Sequence, residues 1–127
     1  MANAAYSVVY ESAKTKVIKW TLKHTTTPSF DERCGAPYSF SGRYPDKSVQ
    51  MYGTLGAGTV KLEGSNEVAV APTSWVSLND PNGNELAFTT STKRIEEVLE
   101  NPMQIRPNFT TPADDVEVVV LLLIKSN

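Results

Sequence analysis

The stretch Asp115-Val116-Glu117-Val118-Val119-Val120-Leu121-Leu122-Leu123-Ile124-Lys125 decides the fold. Its period is two. Val116, Val118, Val120, Leu122 and Ile124 share one face of an extended chain, and Val119, Leu121 and Leu123 share the other. Branched side chains crowd a helix and suit a pleated surface, so the run reads as a strand that is apolar on both faces. In a two-sheet sandwich only one face of a strand looks into the core. The second face therefore needs cover, either from the irregular segment at 25–47 or from another subunit.

Outward from this strand the signals are shorter. Residues 104–109 read as a strand broken by Pro107 and hence placed near an edge, because proline has no N–H for a ladder. In 93–101, Ile95, Val98 and Leu99 fit a helical face and Glu96, Glu97 and Glu100 the opposite one. That run is about two turns long and stops at Asn101-Pro102, so a short helix and a bulged strand both fit. Residues 75–78 and 86–89 are expected to form a hairpin around Asp80-Pro81-Asn82-Gly83, which has tight-turn chemistry. Residues 48–54 and 59–64 alternate as strands, with Gly56-Ala57-Gly58 read as a hairpin turn between them. A loop opens at Ser65-Asn66 and runs to Pro72.

In 16–24, Ile18, Trp20 and Leu22 alternate with Lys19, Thr21 and Lys23, which predicts a strand with one wet face and a core Trp20. Residues 25–47 carry Pro28, Pro37, Pro45, Gly35 and Gly42, with Phe30, Tyr38, Phe40 and Tyr44 between them. A stretch this long without periodicity is either functional or conceals short strands. Residues 1–15 read as an arm or an edge strand.

Many short strands with turn chemistry between them and no long helix predict an all-β fold. The expected architecture is a single antiparallel β-sandwich, jelly-roll-like, spanning 16–127 behind the N-terminal arm. With 127 residues, 40% apolar and 20% charged, folding removes about two-thirds of the unfolded surface, so the core needs no staple. One Cys and one His exclude a disulfide framework and a zinc site built mainly from those residues. A net charge of −2 with four Arg offers little to hold phosphates, so no nucleic-acid partner is expected. The first ten residues lack a basic region and an apolar run, and 118–124 is far short of the ~20 residues of a spanning helix. No secretory signal and no membrane partner are expected, and synthesis is placed in a reducing cytosol.

Candidate chemistry is thin. His24, Asp31 and Cys34 supply the residue types of a nucleophile, base and orienter, but nothing in their stretch activates a thiol. Asp31-Glu32, Glu96-Glu97 and Asp114-Asp115 are adjacent carboxylates, which point apart on a strand and are solvated in a loop. Residues 80–85 hold several oxygen ligands without the alternate spacing of a calcium loop. The glycines of 53–58 are followed by strand alternation rather than by a phosphate-binding helix. Trp20, Trp75 and the tyrosines are the residue types of a platform that stacks sugars or bases; the register of Trp20 with Ile18 and Leu22 places it in the core, and the exposure of Trp75 is open. No enzyme activity and no cofactor are expected.

Val49-Gln50-Met51-Tyr52-Gly53-Thr54, Thr59-Val60-Lys61-Leu62-Glu63-Gly64-Ser65-Asn66, Trp75-Val76-Ser77-Leu78-Asn79-Asp80-Pro81 and Ile105-Arg106-Pro107 form a cadence. It resembles that of small virion structural proteins of tailed bacteriophages over 48–124. It departs at Glu67, where an Asp-Gly usually completes the Ser-Asn turn. The same beat is similar to discoidin-like and other carbohydrate-binding jelly rolls.

The phage resemblance implies a capsid decoration or cement protein, docked on the outer shell and bridging neighbouring major capsid proteins. The alternatives are a tail, adaptor or head–tail component, or a carbohydrate- or surface-binding module. It implies the virion capsid surface as location, synthesis in the host cytoplasm, and homo-oligomerisation as a dimer or trimer. The candidate interface residues are Tyr6, Val8, Val9 and Tyr10 of the arm, Phe30, Tyr38, Phe40 and Tyr44 of the loop, and Val119, Leu121 and Leu123 of the last strand. The competing reading is that these residues complete the domain's own core. Arg106 is expected to form a buried ion pair with a Glu such as Glu100.

Overall fold

A computed structural model describes residues 3–42, 44–89, 94–112 and 115–126. Among the described residues thirteen strands follow in chain order: β1 (Asn3–Ala4), β2 (Tyr6–Glu11), β3 (Thr15–Thr26), β4 (Ser29–Glu32), β5 (Cys34–Gly35), β6 (Tyr38–Ser39) and β7 (Asp46–Thr54). Then come β8 (Thr59–Ser65), β9 (Val76–Ser77), β10 (Ala87–Thr89), β11 (Arg94–Glu97), β12 (Gln104–Thr110) and β13 (Val116–Lys125). They form two sheets. Sheet A runs β1-β5-β12-β8-β10, with β6 beside β12 and β9 beside β8; sheet B runs β11-β7-β13-β3-β2, with β4 beside β3. Every pairing is antiparallel except β1 with β5. The fold is the expected all-β sandwich.

The strand that is apolar on both faces, β13, is the centre of sheet B. β13 pairs along its whole length with β3, from Val116↔His24 to Lys125↔Thr15, and from Glu117↔Thr54 to Lys125↔Asp46 with β7. Val116, Val118, Val120, Leu122 and Ile124 are buried, with Ile18, Trp20 and Leu22 of β3 and Val49 and Met51 of β7 on the same face. Across the sandwich they share one core with Val60 and Leu62 of β8, Phe88 of β10 and Ile105 and Phe109 of β12. Each such side chain contributes about 1.5–3 kcal/mol of transfer free energy.

The 25–47 segment conceals short strands and carries the chain from one sheet to the other. β3 and β4 form a hairpin whose two-residue loop is Thr27-Pro28, joined by a cis peptide bond. β5 and β6 then lie in sheet A. The Trp20 indole Nε1 donates to the Ala36 carbonyl at 2.9 Å and so ties the crossing to the core. The arm also divides, with β1 joining sheet A and β2 forming the edge of sheet B.

Three expectations are corrected. β12 is an interior strand, not an edge: β8 lies on one side and β5 and β6 on the other. Pro107 is tolerated there because it faces the gap between β5 and β6, where that ladder is interrupted. The glycine turn at 56–58 is not a hairpin. It is a corner between β7 of sheet B and β8 of sheet A, with Gly56 at φ +60 and the Gly58 N–H donating to the Leu55 carbonyl. β9 and β10 do not form a hairpin ladder either. Both lie along β8 and meet only at the Asn79↔Glu85 bridge, where Asp80 and Gly83 close the turn. Of the two readings open for 93–101, the strand holds over 94–97, which form β11 on the edge of sheet B; Lys93 lies outside the described residues. The pairing with β7 overrides the helical spacing of Ile95, Val98 and Leu99.

Candidate interaction surface

The ladders of sheet B place its outer side chains in rows. Tyr10, Val17, Leu123 and Ser48 form one row; Lys19, Leu121, Gln50 and Ile95 a second; Thr21, Val119 and Tyr52 a third. Val119, Leu121 and Leu123 are half-buried among these neighbours, and Ile95 is 62% and Tyr10 55% exposed. The face is therefore an apolar centre in a polar surround, closed at one end by the Lys23–Glu117 pair at 4.0 Å. The described strands of 25–47 do not lie over it, since β4 extends the edge of sheet B and β5 and β6 belong to sheet A.

The predicted interface residues separate by environment. Val119, Leu121, Leu123 and Tyr10 come together on this face. Tyr6 and Val8 stand in register with Trp20 and Ile18, on the inner side of β2, and Val9 sits at a β-bulge. Tyr38 is buried, and Phe40 and Tyr44 pack against the core. These rings form a chain: Tyr6 to Tyr38 at 5.2 Å, Tyr38 to Phe40 at 5.5 Å and Phe40 to Tyr44 at 6.1 Å. Phe30 is apart on β4, with the Lys23 amine 5.4 Å from its ring.

A surface that the sequence reading missed is the loop after β8. Val68 is 84% and Val70 98% exposed, yet the loop base is fastened. The Glu67 carboxylate accepts from the Thr73 and Ser74 amides, and the buried Gln104 side chain donates to the Glu67 and Ala69 carbonyls at 3.0 and 2.9 Å. The only sequence signal was two valines in a stretch without period.

The chemical candidates are dispersed. His24 and Asp31 are ladder partners in sheet B, whereas Cys34 belongs to sheet A. Burial pushes the Cys34 thiol up from its ordinary value, which disfavours the nucleophilic thiolate. Asp31 pairs with Arg33 at 3.3 Å. Asp80 accepts from the Asn82 and Asn84 amides of its own turn. Asp114 lies outside the described residues. Among the described residues no group of three or more His, Cys, Asp or Glu is arranged to hold a metal, and no helix is long and apolar enough to cross a membrane.

On the outer face of sheet A, Arg106 pairs with Glu63 at 3.0 Å rather than with Glu100, because Glu63 is its ladder partner on β8. Glu100 instead accepts from the Asn79 backbone and side chain at 2.8 and 2.7 Å. The Arg106 guanidinium also lies 4.2 Å from the Trp75 ring centre and covers one side of the indole.

These features define an all-β, jelly-roll-like sandwich module. No family model matches the chain, and no curated protein matches it. Among solved structures it is similar to a cupin domain from Bordetella pertussis Tohama I, at 14% identity, covering 98% of this chain and 95% of that one, with a TM-score of 0.47.

Proposed function

We propose that the protein is a non-enzymatic virion structural component of a tailed bacteriophage, a decoration or cement protein that binds the outer capsid and bridges neighbouring major capsid proteins. The observation that carries this reading is the outer face of sheet B, where Val119, Leu121 and Leu123 lie side by side with Tyr10 and Ile95 at their margins. An apolar patch of this kind rimmed by polar residues is characteristic of a docking surface. The cadence of residues 48–124 supports a phage origin. Small contacts repeated over a symmetric shell add through avidity, so one modest face per copy suffices.

Copy number tests the proposal. In particles of the phage that encodes this chain, quantitative mass spectrometry against the major coat protein is expected to find hundreds of copies, near parity with coat. Six to a few dozen would move it to the tail or portal axis, and none would leave a free surface-binding module. The glycan-binding form of that last reading relies on Trp75, one side of which Arg106 already occupies.

A further inference from the structure

One end of the sandwich is closed by a charge. Lys47, the second residue of β7, is the ladder partner of Ile124 and so faces inward, with 4% of its surface exposed. Its ammonium donates to the Tyr44 carbonyl at 3.1 Å and to the Asn101 side-chain oxygen, and lies 5.9 Å from the centre of the Phe40 ring. Both acceptors are neutral. Among the described residues no carboxylate comes within ion-pair distance of it. Two carboxylates act on it from farther away, the adjacent Asp46 and Glu100, and Glu100 is engaged by Asn79 through both oxygens. Burial pushes the amine down from its ordinary value.

Lys47 lines a cleft of about 350 Å³, walled by Phe40, Tyr44, Pro45, Pro102 and Met103. The walls are preformed: the Phe40 amide donates to the Met103 carbonyl at 3.1 Å, and Phe40 packs on Tyr44. Small-molecule sites commonly combine this size with apolar walls and a few fixed polar groups. A buried cation whose hydrogen-bond acceptors are all neutral gains from an anion that arrives with its own apolar cover. Asn101 turns its oxygen to Lys47, which leaves its amide N–H groups as donors.

We propose that this cleft binds a carboxylate borne on an aromatic or branched apolar group. The carboxylate sits on Lys47 and Asn101, and the apolar body lies between Phe40, Tyr44 and Pro102. Such a group is supplied by a free organic acid or by the C-terminus of a polypeptide ending in an apolar residue.

The experiment is an amide-shift NMR titration of the whole chain with phenylacetate and with its neutral match, phenylacetamide. Phenylacetate is expected to shift the amides of Phe40, Tyr44, Asn101 and Met103 saturably, and to bind at least about tenfold more tightly than the amide. Lys47→Met should erase the preference for the acid. Phe40→Ala, which keeps the charge, should weaken both ligands and serves if the first variant does not fold. A peptide ending in a free Phe carboxylate that outcompetes phenylacetate identifies a chain end as the source; one that binds more weakly identifies a free acid. Equal affinity for acid and amide, shifts confined to other regions, or no saturable shift overturns the proposal.

Discussion

Trp20 and Ala36 are joined by a hydrogen bond from the indole Nε1 to the backbone carbonyl at 2.9 Å, although Trp20 belongs to sheet B and Ala36 follows β5 of sheet A. The bond fixes where the chain crosses between sheets. Trp20→Phe keeps an aromatic ring but leaves the carbonyl without its donor and opens a void. The expected loss is about 2–4 kcal/mol. Urea unfolding should show a lower midpoint with an unchanged slope.

Gly35 is sterically required beside that bond. A Cβ there would stand 2.6 Å from Pro107 Cδ and 2.7 Å from Trp20 Cδ1. Gly35→Ala is therefore expected to cost about 1–3 kcal/mol through overpacking. Thermal unfolding checks it, and an unchanged midpoint would show that β5 and β12 separate freely.

Arg106→Lys keeps the charge and loses the planar fork. The Glu63 contact at 3.0 Å and the stack on Trp75 both depend on that fork. The loss should be about 0.5–2 kcal/mol, given that the group is partly exposed. Trp75 emission should move to the red while the contribution of buried Trp20 stays in place.

The loop at 66–75 should loosen in acid. The Ser74 and Thr73 backbone amides hold the Glu67 carboxyl below its ordinary value of 4.5. With the folded value depressed, this stabilisation is complete above the ordinary value and is lost as pH falls through the folded one. Amide exchange at Thr73 and Ser74 should quicken over that window, and Glu67→Gln should abolish the pH dependence. Exchange protection that is flat in acid would remove Glu67 as the clasp.

Leu121→Asp separates docking from folding. Leu121 lies on the outer face of β13 between Lys19 and Gln50, so an Asp there should leave the domain folded at a cost of about 1–2 kcal/mol. Binding to capsid particles should disappear. Leu122→Asp, one residue on, faces the core and should unfold the domain. A folded Leu121→Asp protein that still binds particles would falsify a docking role for this face.

Legibility in the sequence followed the range of the forces involved. β13, β3, β7 and β8 could be read because alternation is local to a strand, and all four appear close to their expected bounds. Partner choice was not legible. Residues 56–58 have the same glycine chemistry whether the chain returns on itself or turns a corner into the other sheet. Pro107 could not reveal an interior strand, because the gap that accommodates it is made by Ala36 and Pro37, some seventy positions away. Ile95, Val98 and Leu99 kept a helical spacing that pairing with β7 overrode. The surface was half visible: Val119, Leu121 and Leu123 announced a second apolar face. Tyr38 showed only that it is aromatic, not that it is buried.

The central place of β13 also governs the order in which the protein can assemble. β3 and β7 both hydrogen-bond to it, and it is synthesised after every other strand described. Until it emerges from the ribosome, each of those strands presents a bare edge that is apolar on the core side, a surface prone to mispairing with other chains. Folding of this module is therefore expected to wait until β13 has emerged, rather than to proceed strand by strand. A nascent polypeptide stalled before residue 116 should engage chaperones or aggregate, and become protease-resistant only when the last ten-residue strand is supplied.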